Sequence, residues 1–140
     1  MEASLVFPGT FHHIGLACRS IEDEAAGVAA IGYAAEGPPI DDPIQKVRVQ
    51  FFAGTGPRIE LIEPVAADSP VSGIVKRGTK FYHLAYEVKD FDGAIDILGG
   101  HGFRAVGPAA PAVAFGMRRI VFLMSKTGML LELIEMSSEV

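Results

Sequence analysis

Two histidines and two glutamates recur at matched positions in a chain of 140 residues. His13 and His83 lie 70 positions apart, and Glu60 and Glu132 lie 72 apart. Each glutamate is set inside an apolar run, Ile59-Glu60-Leu61-Ile62 and Leu131-Glu132-Leu133-Ile134. An isolated carboxylate in such a run costs several kcal/mol to desolvate, so each needs a compensating partner. Glu63 and Glu135, nearer the ends of the same runs, can be satisfied by solvent. One alternative is that each histidine is a hydrogen-bonded core residue and each glutamate pairs with a nearby Lys or Arg. The duplicated placement of all four favours a shared task. Two imidazoles with two carboxylates suit one divalent ion such as Zn²⁺, Co²⁺, Ni²⁺ or Mn²⁺.

The elements that hold these residues also recur. Phe11-His12-His13-Ile14-Gly15-Leu16-Ala17 leads to Ser20, and Phe81-Tyr82-His83-Leu84-Ala85-Tyr86-Glu87-Val88 leads to Asp90, again 70 positions on. Both stretches read as strands, and Ser20 and Asp90 read as helix caps, Ser20 with a capping-box spacing to Asp23. Ile21, Ala25 and Val28 fall on one helical stripe, as do Phe91, Ile95 and Leu98, with Gly32 and Gly99-Gly100 as stops. Strands are expected near 33–37, 45–53 and 56–64, and again near 102–107, 115–124 and 128–136. The fold class is therefore α+β: two tandem βαβββ modules, about 11–65 and 80–136, within one domain spanning 1–140. The segment 66–77 reads as a linker with a helical turn, and 107–111 as a rigid proline loop.

Strand alternation puts His13 on a face with Gly15 and Ala17, and His83 on a face with Ala85, opposite the bulky side chains that suit packing against helices. Small neighbours leave a hollow in front of each imidazole. Tyr82, Leu84 and Tyr86 are expected on the bulky face, and Cys18 as a small core residue. Gln50 and Arg48 share a strand face that could line the cup. Arg119 and Lys126 could meet anionic groups of a substrate. His12 and His101 show no partner pattern and are expected at the surface.

Composition narrows the partners. With 12 Lys and Arg against 17 Asp and Glu, the net charge is −5 and the pI near 5.3. No basic run is present, so nucleic-acid and membrane-surface binding are set aside. At 49% hydrophobic residues the chain can build a substantial core, yet its longest apolar run is Ala-rich, broken by glycine, and far below the ~18 residues of a membrane span. The N-terminus lacks a basic export region, and a single cysteine, Cys18, fits a reducing cytoplasm.

The doubled plan, with His on the first strand and Glu on the last strand of each half, resembles the vicinal oxygen chelate superfamily over essentially the whole chain. Within it, the stretch Arg58 to Pro64, followed by Asp68-Ser69-Pro70-Val71, Lys76-Arg77-Gly78 and His83, is similar to the methylmalonyl-CoA epimerase branch. The block Gly116 to Leu133 continues that likeness. The resemblance implies two half-barrels forming a cup, a divalent ion on His13, Glu60, His83 and Glu132, a homodimer, and proton transfer at carbon next to a thioester carbonyl. It further implies that Glu132 serves as both ligand and base. The branch's second base is a glutamate just ahead of the third strand, where this chain has Ile44; Asp41 or Asp42 could reach in from nearby, or cap a turn before Pro43. Met124 stands where that branch usually has histidine. Arg119 and Lys126 would then face the phosphates of a CoA ester. A glyoxalase I type lyase acting on a thiol adduct resembles the chain in the same four ligands. A drug-binding protein of the bleomycin-resistance kind shares the fold but usually lacks the ligand positions.

Overall fold

The computed structural model describes residues 7–137; residues 1–6, part of the N-terminal segment read above, lie outside the described residues. The first half runs β1 (Gly9–Ala17), α1 (Ile21–Ala30), β2 (Ala34–Ala35), β3 (Ile40–Asp42), β4 (Val47–Ala53) and β5 (Ile59–Pro64). A short helix α2 (Ser72–Lys76) follows in the linker. The second half runs β6 (Phe81–Val88), α3 (Phe91–Gly99), β7 (Arg104–Ala105), β8 (Ala110–Ala112), a single 3-10 turn at Val113–Phe115, β9 (Arg118–Met124) and β10 (Leu130–Glu135).

Both long helices start as their caps dictate. Ser20 accepts from the Asp23 amide at 3.2 Å and Asp90 from the Gly93 amide at 3.0 Å. Glu63 is not left to solvent: its Oε1 accepts the Ile21 amide at 2.7 Å, so β5 supplies an anion to the start of α1.

The ten strands form one mixed sheet, in the order β2-β4-β5-β1-β6-β10-β9-β7, with β3 and β8 added along β4 and β9. The sheet does not close on itself. In each half the first strand pairs in parallel with the last, and the two halves join where β1 pairs antiparallel with β6. The proline segment read as a loop contributes β8, with Pro111 opposite Arg119; a proline can stand there because β8 pairs on one side only.

One face of this sheet packs on the helices. Leu16, Phe52, Ile59 and Leu61 meet Ile21 and Val28 of α1, while Val121, Leu123, Leu131 and Leu133 meet Phe91 and Ala94 of α3. The other face carries His13, Glu60, His83 and Glu132. Leu61 and Leu133 occupy matched positions and both have no exposed surface. Leu61→Ala and Leu133→Ala should each lower unfolding free energy by about 2–5 kcal/mol in a denaturant titration. A loss below about 1 kcal/mol in either would contradict the matched packing.

Candidate metal centre

Register brings the four polar residues together. Across the parallel β1–β5 pair Glu60 stands opposite Gly15, two residues beyond His13; across β6–β10 Glu132 stands opposite Ala85, two residues beyond His83. The same diagonal step is thus used twice, and the β1–β6 seam sets the two pairs side by side. His13 Nε2 lies 2.9 Å from Glu60 Oε1 and 3.3 Å from Glu132 Oε1; His83 Nε2 lies 3.1 Å from Glu132 Oε1 and 3.9 Å from Glu60 Oε1. The two Nε2 atoms are 3.2 Å apart. All four residues are buried.

These separations suit a bound ion. Nitrogen and oxygen ligands at ~2.0–2.2 Å from one divalent ion lie roughly 3–3.5 Å from each other. Without an ion, two imidazole nitrogens face each other in an apolar enclosure, and His83 Nδ1 and Glu132 Oε1 are buried without a hydrogen bond. Each such orphan costs on the order of 1–3 kcal/mol. The donor set fits a divalent ion in chemistry and in spacing.

The electrostatics describe the same convergence. Burial alone would lower the pKa of His13, but Glu60 and Glu132 outweigh it and hold it at about 9. Burial alone would raise Glu132, yet the imidazoles of His13 and His83 pull it down to about 2.

Two irregularities in the seam add residues that alternation places elsewhere. The β1–β6 register skips between Phe11 and His13 and again opposite Tyr82, where Gly15 pairs with His83 but Leu16 with Phe81. An extra residue in a strand kinks it and re-aims a side chain. His12, expected at the surface, is half-buried: its Nδ1 lies 2.8 Å from His13 Nδ1, and its Nε2 lies 3.2 Å from the Arg58 guanidinium, which also donates to Glu36. Burial, then His13 and Arg58, lowers its pKa to about 4. Tyr82, expected on the helix face, instead packs with Ala17, Val47, Val49, Ile62 and Val71 and meets the His83 ring edge-on at 4.5 Å. Burial, then Glu60 and Glu132, pushes its phenol well above the ordinary value. No sequence signal marks these slips, because a bulge belongs to the pairing of two strands.

A cavity of about 50 Å³ opens on Glu60, His83 and Glu132, and a neighbouring one of about 330 Å³ continues past Val106, Pro108, Met124 and Leu130. Among the described residues no lysine or arginine lines either one. Met124 gives this second cavity part of its apolar wall.

The other expected site residues lie elsewhere. Gln50 faces away from Glu60, because it pairs with Leu61, and its amide donates to Gly37 O at 2.8 Å. Arg48 on the same face is 3.6 Å from Asp41. Arg119 makes a two-pronged contact with Glu135 and stacks over Phe91, on the helix side of β9. Lys126 lies in the turn before β10 with its stem against Gly102. Asp42 does line the smaller cavity, but its carboxylate is engaged: Oδ1 accepts from the Ile44 and Gln45 amides at 3.0 Å each, and Oδ2 from the Val113 amide at 2.8 Å. It caps the turn after β3 and ties that turn to the second half. Ile44 is 45% exposed, and His101 is exposed as expected.

Comparison with known proteins follows the same lines. The model of the Glyoxalase/Bleomycin resistance protein/Dioxygenase superfamily matches residues 12–122. The ethylmalonyl-CoA/methylmalonyl-CoA epimerase of Cereibacter sphaeroides is 31% identical over 129 residues, covering 89% of this chain and 96% of that protein. Among solved structures, a hypothetical protein of Bacillus halodurans superposes with a TM-score of 0.79 at 26% identity, over 94% of this chain and 97% of the other. The methylmalonyl-CoA epimerase of Mycobacterium tuberculosis does so at 0.78 and 24% identity, over 98% and 93%.

Two outcomes test the geometry. A Cβ at Gly15 would overlap the His83 ring, so Gly15→Ala should displace that imidazole, lower the melting temperature and weaken divalent-ion binding in titration calorimetry. Unchanged binding would contradict the placement of His83. In metal-free protein, the raised His13 stabilises the fold below its unfolded value of 6.5 and loses that contribution as pH rises through 9. The depressed Glu132 stabilises it above 4.5 and loses that contribution as pH falls towards 2. Chelated protein should therefore show its highest melting temperature between about pH 4.5 and 6.5. His13→Gln should flatten the alkaline limb.

Proposed function

The chain belongs to the Glyoxalase/Bleomycin resistance protein/Dioxygenase superfamily, and from that premise we propose that its cup catalyses proton transfer at the carbon beside a thioester carbonyl, as a divalent-metal-dependent epimerase or isomerase of acyl thioesters. The observation that carries this reading is the convergence of His13, Glu60, His83 and Glu132 at about ligand spacing on the floor of an apolar cavity. The ethylmalonyl-CoA/methylmalonyl-CoA epimerase with 31% identity over most of the chain supports the choice of reaction and substrate class. The identity of the metal (Co, Zn, Ni or Mn), a homodimeric assembly and a cytoplasmic location belong to the same proposal. Among the described residues, no helix is long and apolar enough to cross a membrane.

In this reading the four side chains hold the ion, which when bound supplies a Lewis acid that lessens the cost of negative charge on the substrate carbonyl oxygen. Glu132 removes the α-proton. A carboxylate suits that task because it can take the proton within hydrogen-bond reach while its other oxygen keeps its place in the cluster. The apolar walls, Val47, Val49, Ile120 and Phe122 among them, exclude water from the reacting carbon and so strengthen each charge interaction there. The second cavity receives an uncharged part of the substrate, since no cationic side chain lines it.

Metal-loaded protein in ²H₂O should incorporate deuterium at the α-carbon of methylmalonyl-CoA or another acyl-CoA, and Glu132→Gln should slow this by roughly 10²–10⁴-fold. Glu60→Ala should lose most bound metal in elemental analysis, because nothing in the apolar strand can replace the missing ligand. Unchanged metal content in that variant would overturn the ligand set. Turnover of a hemithioacetal without α-proton exchange in any acyl-CoA would replace the epimerase reading by a lyase.

A further inference from the structure

The small cavity that opens on Glu60, His83 and Glu132 measures about 50 Å³. A group the size of a water takes ~30 Å³, so that space suits the reacting carbon and its carbonyl, and a longer substituent must extend beyond it. The way out is built in. Gln45, Pro70, Val71, Tyr82, Ile120 and Phe122 wall both this cavity and the larger one of about 330 Å³, so the two are continuous. Whatever reaches the cluster with a tail attached has the larger cavity beside it.

The chemistry of the walls says what kind of tail that is. β9 and β10 contribute Met124 and Leu130, which pair across the two strands, and the linker contributes Val71 just before α2 and Ile74 within it. Among the described residues, only Gln45 and Tyr82 bring polar side chains to the larger cavity, and the Gln45 side-chain amide already donates to Pro111 O at 3.2 Å. An acyl-CoA has two uncharged parts, the pantetheine arm and the acyl group. The arm carries two amides and a hydroxyl, and burying these against hydrocarbon without partners opposes binding. An alkyl chain needs no partner, and it gains from leaving water.

We propose that the larger cavity holds an alkyl substituent of several carbons on the reacting carbon, so that the substrates of the cup are acyl thioesters carrying a side chain well beyond methyl. This inference deepens the functional reading above and rests on it. A methyl group is close to a water in size, at ~30 Å³, and would fill roughly a tenth of the space. Each further methylene taken out of water strengthens binding about three- to fourfold until the cavity is full. The walls thus select for length and for the absence of charge in the chain.

Two series on the metal-loaded protein test this. Titration calorimetry with free malonates bearing a 2-methyl, 2-ethyl, 2-butyl or 2-hexyl group reads the substituent without any CoA, and α-proton exchange in ²H₂O reads the same substituents on 2-alkylmalonyl-CoA esters. Affinity in the first series and kcat/KM for exchange in the second should each rise by at least about 30-fold from methyl to butyl. Ala110→Leu adds bulk to a wall that belongs to the larger cavity and not to the small one, and should cut that gain to below about five-fold with metal content retained. A gain under about three-fold in both wild-type series overturns the inference, whether or not Ala110→Leu folds. A gain kept in full by folded Ala110→Leu overturns it too, because the chain then lies elsewhere. A rise in malonate affinity with no exchange in any ester supports the alkyl cavity and overturns the functional reading, so the two failures are distinct.

Discussion

His13, Glu60, His83 and Glu132 are shut away from water at the centre of an otherwise apolar cup, and much of the molecule is explained by what it takes to keep them there. Two carboxylates so placed would repel each other and lose their hydration, at a cost of several kcal/mol per ion. The two imidazoles between them offset part of that cost, which is why His13 is drawn towards its charged form and Glu132 is held ionised. The offset is incomplete, since Glu132 Oε1 touches His13 Nε2 and His83 Nε2 without a well-formed hydrogen bond to either. A divalent cation held between the four side chains would offset what remains.

Position follows from pairing. Each half places a histidine on its first strand and a glutamate on its last, and parallel pairing of those strands aims both side chains at one point. A slip of one residue in either pair would carry the glutamate to the helix side, among the leucines beneath α1 or α3. The apolar residues on each side of Glu60 and Glu132 therefore do two jobs: they anchor the helices, and they fix the register that keeps the carboxylates on the other face. Gly15 adds a steric condition. It is the partner of His83 across the seam, and its lack of a side chain is the space that ring occupies.

Much of this was legible in the sequence because duplication writes the same message twice. The strands, the caps at Ser20 and Asp90, the helical stripes and the four polar residues all recur at nearly constant spacing, and periodicity then says which face each occupies. What was not legible depends on partners distant in sequence. Gln50 faces α1 because its strand's phase is set by pairing with β5. Arg119 is taken by Glu135, and Glu63 by the first amide of α1, contacts that appear only once the sheet is assembled. His12 and Tyr82 were misplaced for a different reason: alternation holds only where a strand is regular, and the seam is irregular beside both His13 and His83.

Those two irregularities fall at equivalent places in the two halves, yet one presents an imidazole and the other a phenol. A residue in a regular strand is constrained twice, by the core it packs and by the neighbour it pairs. The extra residue of a bulge is released from the ladder and from strict in-and-out alternation, so its side chain can change with little penalty to the sheet. It nevertheless sits one peptide from an invested position, beside His13 or His83. Such a site is where a duplicated scaffold can diverge cheaply: one copy turns its spare residue to bracing His13 while the other turns its own towards the cup, and the four clustered residues stay untouched while their surroundings drift.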